Sequence, residues 1–197
     1  MGLAGLEPPE LARLFALGAN DARTPLATLT GYARTLSREL SAGDAAEYAA
    51  TIEESAGELE DIVERLALVA RIQEGRYTPS LVEVETADLA RAAIQALGAE
   101  RVELSGQGAR ARVDRSPAED ALTACARATM RHGAIDRVTI ELDGRSVSYG
   151  PVMENARPVL GGGEMREFGV GSALLVLRAL GCQLSVEGDR FVVVLPE

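Results

Sequence analysis

Apolar residues recur every three or four positions through the N-terminal part of the chain, which is the spacing of one face of an α-helix. This spacing predicts a first helix over residues 10 to about 40 and a second over residues 45–73. Between them Ser41-Ala42-Gly43-Asp44 predicts a tight turn, in which the glycine ends the first helix and the aspartate caps the second. The apolar positions of the second helix alternate steps of three and four: Ala49, Ile52, Ala56, Leu59, Val63, Leu66 and Ala70.

A hairpin of two long helices cannot bury both apolar stripes within itself, because each stripe is wide and the hairpin has open sides. Further helices of the same chain would cover the stripes, but the remaining sequence predicts shorter, mixed elements. We therefore expect residues 1–76 to be a helical domain that pairs with a second copy of the chain as a four-helix bundle.

From residue 77 onwards the pattern changes to short strands and helices, which predicts a second domain over residues 77–197. Asp143-Gly144 is a strong two-residue turn signal between two strands. The predicted order is a strand at 80–84, a helix at 87–97 capped by Thr86, a hairpin of 101–104 with 109–113, a helix at 116–131, a hairpin of 138–142 with 145–148, a mobile loop at 150–168, a helix at 169–180, and a hairpin of 183–186 with 190–195. The fold class is α+β, a helical hairpin followed by an α/β sandwich with helices on one face.

Composition excludes several kinds of protein. The net charge is −10 and all positive charge is carried by arginine, which argues against nucleic-acid binding because phosphate neutralisation needs a basic surface. The absence of lysine excludes a Walker A phosphate loop and a Schiff-base mechanism. No stretch of about 18 apolar residues occurs, so membrane insertion is not expected.

Cysteine and histidine are few. Cys125 and Cys182 lie in apolar surroundings, which predicts buried, reduced thiols and a cytoplasmic location. His132, the only histidine, is predicted at an exposed helix C-terminus. With no neighbouring ligand of suitable spacing, no metal site is predicted.

Residues 20–26, Asn-Asp-Ala-Arg-Thr-Pro-Leu, carry the most informative motif. They resemble the dimerization and phosphotransfer domain of the sensor histidine kinases, whose motif is His, acidic, any, any, Thr or Asn, Pro, followed by an apolar helix. Every position matches except the first, where Asn20 replaces the phosphorylatable histidine. Because Pro25 has no amide to donate to the carbonyl of Asp21, the helix is expected to bend here.

The second domain resembles the ATP-binding domain of the same family in its order of elements and in Gly169-Val-Gly-Ser-Ala-Leu-Leu-Val176. Glycines at a helix start let amides approach phosphate oxygens, although they also serve packing. The resemblance implies a residual nucleotide pocket at Gly150, Gly169 and Gly171.

Two further positions of the resemblance depart from the family. Ala128 falls where the family has a Mg²⁺-binding asparagine, and Ser148 falls where it has the aspartate that binds adenine. The family's ATP and Mg²⁺ are therefore expected to be lost, and no cofactor is predicted.

These losses favour a catalytically inactive homodimeric adaptor that binds a response-regulator receiver domain or another histidine kinase. An alternative is a response-regulator phosphatase using Asp21 and Thr24, which the resemblance implies as its catalytic pair. The purely structural interpretation of that pair is that Asp21 forms an ion pair with an arginine and that Thr24 donates a hydrogen bond to a nearby carbonyl. A third alternative is a phosphotransferase, which would need a histidine in place of Asn20.

Overall fold

The computed structural model describes residues 6–36 and 42–197. Three helices form the N-terminal part: α1 (Pro8–Asp21), α2 (Arg23–Leu36) and α3 (Ala42–Gln73). The first predicted helix is thus interrupted at Ala22, three residues before Pro25, as the missing proline amide requires. Its predicted end lies outside the described residues.

The predicted cap at Asp44 is wrong, because α3 already includes Gly43 and Asp44. A single glycine costs a helix only about 1 kcal/mol, and the surrounding alanines and glutamates are good helix formers. The buried positions of α3 are Ser55, Ile62, Val69 and Ile72, one residue away from most of the predicted stripe. Val63 of the predicted stripe instead remains 59% exposed.

The rest of the chain is an α/β sandwich, which confirms the predicted fold class. Its elements are β1 (Leu81–Glu85), α4 (Thr86–Leu97), β2 (Val102–Gly108), β3 (Arg110–Asp114), α5 (Arg115–Gly133), β4 (Val138–Gly144), β5 (Ser146–Gly150), α6 (Arg157–Leu160), α7 (Phe168–Ala179), β6 (Gln183–Glu187) and β7 (Arg190–Val194). A five-stranded sheet has the order β2-β4-β5-β7-β6, and β1 pairs with β3 separately. Burial alternates along β4, β5 and β7, so one face of the sheet lies under the helices.

The predicted hairpin of residues 101–104 with 109–113 is wrong. Strand β2 pairs in parallel with β4, and β3 pairs antiparallel with β1. Gly106 has a positive φ of 85°, and a Cβ there would collide with the carbonyl oxygen of Leu142 on β4. This glycine therefore permits the close approach of two strands and does not form the predicted hairpin turn.

Thr86 has a different role from the predicted helix cap. It is the first residue of α4, preceded by Glu85 as the cap, and it is completely buried. Its hydroxyl donates to the carbonyl oxygen of Gly144 at 3.0 Å and accepts from the amide of Ala109 at 3.1 Å. One side chain thus connects the start of α4, the β2–β3 connection and the β4–β5 turn.

Other predicted features are closer to the structure. The β4–β5 and β6–β7 hairpins form as predicted. Cys125 and Cys182 are free and buried, and burial raises the pKa of the Cys182 thiol to about 12.

The segment predicted as a mobile loop differs from that prediction. It contains α6 and buries Val152, Ala156 and Leu160, so much of it packs against the core.

Replacing Thr86 with valine should lower the free energy of unfolding by about 0.5–1.5 kcal/mol, because both hydrogen bonds of its buried hydroxyl are lost while the bond from the Ala109 amide to the Gly144 carbonyl remains. Thr30→Val removes only an exposed hydroxyl bond to Leu26 and should change the free energy by less than about 0.5 kcal/mol. Denaturant unfolding of both variants measures the difference. Equal effects of the two substitutions would contradict the connecting role of Thr86.

Candidate functional site

The motif residues lie at the break between α1 and α2. Asn20 and Asp21 end α1, and Thr24 lies in the first turn of α2. Asn20 and Thr24 are exposed and Asp21 is partly exposed, whereas Pro25 is buried. The proline thus anchors the break while the three polar side chains remain accessible from outside the chain.

The hydroxyl of Thr24 differs from those of the other threonines in α2. Thr28, Thr30 and Thr35 each donate to the carbonyl four residues earlier, at 3.1, 2.8 and 3.0 Å. Among the described residues, Thr24 makes no such bond and Asp21 makes no ion pair. An unpaired carboxylate and hydroxyl about one turn apart are available to accept and donate hydrogen bonds to a partner.

The three glycines predicted for the nucleotide pocket have different neighbouring atoms. A Cβ built on Gly171 would lie 2.8 Å from Leu14 Cδ1, and one on Gly150 would lie 2.7 Å from Arg190 Cδ. A Cβ on Gly169 would meet nothing within 4 Å. Two of the three glycines are therefore packed against side chains of this chain, and Gly169 alone faces open space.

The two residues that depart from the family motif, Ala128 and Ser148, also make packing or hydrogen-bond contacts within the chain. Ala128 on α5 is fully buried, so its methyl group belongs to the core. The hydroxyl of Ser148 on β5 donates to the carbonyl oxygen of Glu141 on the neighbouring β4, at 3.3 Å.

A cleft of about 660 Å³ lies between α3, α4 and α5, and it was not predicted from the sequence. Its walls carry charges of both signs, including Asp61 and Arg65 of α3 with Asp120 and Arg127 of α5. None of the predicted site residues lines it. Its walls come from parts of the chain too distant in sequence for any local pattern to place them together.

Tyr77 lines one side of this cleft and connects the end of α3 to the second half of the chain. Its hydroxyl donates to Asp114 Oδ2 at 2.9 Å, and the same oxygen accepts from the amide of Ser80 at 3.1 Å. Burial and the bond to Asp114 raise the pKa of Tyr77 well above its ordinary value. The hydroxyl therefore stays protonated and keeps its bond at neutral pH.

The prediction that His132 is exposed is wrong. Its side chain is only 13% exposed, and its Nε2 lies 3.6 Å from Glu167 Oε2. Arg131 pairs with the same oxygen at 2.7 Å, although its own guanidinium is mostly exposed. Glu167 precedes α7, so these contacts connect the end of α5 to the start of α7 across 35 residues of sequence.

Residues 12–75 match the family described as the His Kinase A (phospho-acceptor) domain. Over these residues the chain is similar to a His Kinase A domain. The resemblance predicted from residues 20–26, which lie within this range, is thereby confirmed for this part of the chain. A comparison with curated proteins finds no match.

Solved structures share the whole fold at low sequence identity. The histidine kinase AdeS of Acinetobacter baumannii is 15% identical with a TM-score of 0.56, covering 87% of this chain and 93% of its own. Full-length ShkA in complex with AMPPNP is 22% identical with a TM-score of 0.54, covering 97% of this chain and 46% of its own. These likenesses establish the fold of the histidine kinases for this chain.

Neither a metal centre nor a membrane span is found among the described residues. No cluster of three or more His, Cys, Asp or Glu residues in the described ranges is arranged to hold a metal ion. Among the helices that the structure describes, none is both long and apolar enough to cross a membrane.

Proposed function

We propose that this protein is a catalytically inactive, homodimeric signalling adaptor of the two-component type. It binds a response-regulator receiver domain or another histidine kinase through its helical hairpin. The observation that carries the proposal is that the partly exposed Asp21 and the exposed Thr24 are unpaired beside Asn20, where the motif that residues 20–26 resemble has its phosphoacceptor. A surface that could contact a partner is present, while the group that would carry the phosphoryl group is not.

Dimerization is supported by apolar side chains on the outside of the helical part. Phe15 of α1, Leu26 of α2 and Val63 of α3 are 36%, 56% and 59% exposed. Leaving large apolar side chains in water is unfavourable, and pairing two hairpins would bury them. The sequence resemblance to the dimerization and phosphotransfer domain also implies dimerization.

Loss of ATP and Mg²⁺ binding is supported by four positions in the α/β half. The methyl group of Ala128 cannot coordinate a metal and is enclosed in the core. Arg190 packs on Gly150, and Leu14 packs on Gly171, so both glycines are covered by protein atoms. The hydroxyl of Ser148 is engaged with the Glu141 carbonyl and carries no charge to replace the family's aspartate.

Location and cofactor use follow from the same proposal. Receiver domains and histidine-kinase catalytic parts meet in the cytoplasm, so this is the proposed location. No nucleotide or metal cofactor is required for docking, because contacts to Asp21 and Thr24 need only polar groups on the partner.

The substitution Asp21→Arg should weaken binding of a receiver domain about 10- to 100-fold, because it reverses a charge at the proposed contact. Glu103→Arg makes the same charge change on an exposed position of β2, in the other half of the chain, and should leave binding unchanged. Isothermal titration of receiver domains from the source cell, each with and without beryllium fluoride, measures both. The proposal that the partner is a receiver domain fails if none of them binds below about 100 μM, or if both variants weaken binding equally.

A second function, dephosphorylation of a response regulator, is favoured by the hydroxyl of Thr24. It is the one threonine hydroxyl of α2 that bonds no carbonyl among the described residues, so it can orient a water molecule towards a phosphoaspartate. This reaction needs no covalent histidine intermediate. Phosphotransfer through residue 20 has no such support, because the amide of Asn20 is not a nucleophile of the required kind.

If the chain is a phosphatase, Thr24→Ala should slow its acceleration of phosphoaspartate decay at least about tenfold, since a positioned catalytic group typically contributes that much or more. Thr30→Ala, on the same helix, should leave the decay rate unchanged. Loss of label from a ³²P-labelled receiver domain gives the rates. An undiminished rate with Thr24→Ala would remove the phosphatase hypothesis and leave the adaptor proposal standing.

A further inference from the structure

Arg23 lies beside the proposed partner surface and is not neutralised by its nearest carboxylate. It is the first residue of α2 and is exposed. Within the part of the chain that the structure describes, its guanidinium makes no ion pair and no hydrogen bond, although Asp21 is only two positions away. Residues two positions apart do not face each other on a helix, so the Asp21 carboxylate lies on a different face.

The helical neighbours of Arg23 carry no acidic group. A helical side chain contacts the residues three and four positions before and after it. For Arg23 these neighbours are Ala19, Asn20, Leu26 and Ala27. By contrast, Arg115 pairs with Glu119 four residues later at 2.8 Å, and Arg91 pairs with Asp88 three residues earlier. Arg23 is therefore an exposed cation that its own helix leaves available.

Arg23 shares one side of the helix with Asn20 and Thr24. The amide of Ala22 still donates to the carbonyl four residues earlier at 3.0 Å, and the amide of Leu26 does the same at 3.2 Å. The helical path thus continues through the break, and residues 20, 23 and 24 lie within about one turn of each other. Their side chains present a carboxamide, a guanidinium and a hydroxyl, each of which donates hydrogen bonds.

We infer that Arg23 makes the docking surface selective for a phosphorylated receiver domain, because it binds the phosphoryl group on the partner's aspartate. A guanidinium forms paired, charge-assisted hydrogen bonds with phosphate oxygens, and Asn20 and Thr24 add neutral donors on the same side. Asp21, on a different face, is left to contact the rest of the partner. The inference rests on the proposed docking of a receiver domain and adds the phosphorylation state that this docking recognises.

The pair Arg23→Gln and Arg34→Gln tests the selectivity. Arg34 is also an exposed arginine of α2, on the same side about three turns away, which is about 16 Å along the axis. Isothermal titration of receiver domains from the source cell, each with and without beryllium fluoride as the phosphoryl mimic, gives two affinities for every variant. The unmodified protein and Arg34→Gln should bind the beryllium fluoride form at least about tenfold more tightly than the free form.

Arg23→Gln should lose this preference and keep its affinity for the free receiver domain within about twofold, because the guanidinium has no phosphoryl group to contact there. A preference that survives Arg23→Gln, or that Arg34→Gln removes equally, would overturn the inference. An equal loss of affinity for both forms would also overturn it, since a purely structural defect has that effect.

The same titrations separate this inference from the proposed function. If the unmodified protein binds both forms of a receiver domain equally, the selectivity is wrong and the adaptor proposal stands. If no receiver domain binds in either form, the proposed partner is wrong and the inference about Arg23 fails with it.

Discussion

The packing of α1 on α7 is the contact on which the rest of the molecule depends. Helix α7 is almost entirely apolar and buried, and it lies between the sheet and the helical hairpin. Leu14 and Phe168 extend one continuous core from the hairpin into the α/β half. The same contact places Leu14 against the turn at Gly171. A glycine that resembles a phosphate-binding residue in sequence has a packing neighbour in the structure.

The polar residues of the molecule divide according to what surrounds them. Asp21 and Thr24 lie on the outer surface at a helix break, where an unpaired polar group stays hydrated and costs little. Ala128 lies in the interior, where an asparagine side chain without a ligand would leave polar atoms unpaired in the core. A chain that no longer binds a metal would gain stability from an apolar residue there. The polar surface at Asp21 and Thr24 could be retained with little cost in folding free energy.

Local patterns predicted the elements that depend on neighbouring residues. The interruption of the first helix follows from Pro25, and the β4–β5 hairpin follows from Asp143-Gly144. Features that depend on distant residues were not predictable in this way. Residues far apart in the chain meet in the parallel pairing of β2 with β4, in the contact of His132 with Glu167, and in the cleft beside α3. At Asp44 the error was local, because helix propensity over a long segment outweighed one glycine and one capping residue.

Of the candidate site, the sequence predicted the residues but only part of their surroundings. The exposure of Asn20 and Thr24 agrees with a partner-facing position, as expected from a helix break in an amphipathic pattern. The coverage of Gly150 by Arg190 and of Gly171 by Leu14 needed the tertiary structure, since neither pair is close in sequence. Motif similarity therefore identified the candidate residues, and the structure shows which of them neighbouring side chains cover.

The central claim is that the whole chain, and not only residue 20, has lost ATP-dependent phosphorylation. The most direct test is to restore the histidine with Asn20→His and to incubate this variant and the unmodified protein with [γ-³²P]ATP and Mg²⁺. The proposal predicts that no label enters either protein, because the proposed loss of nucleotide binding does not depend on residue 20. Labelling of Asn20→His would contradict this account and show that only the phosphoacceptor had been lost.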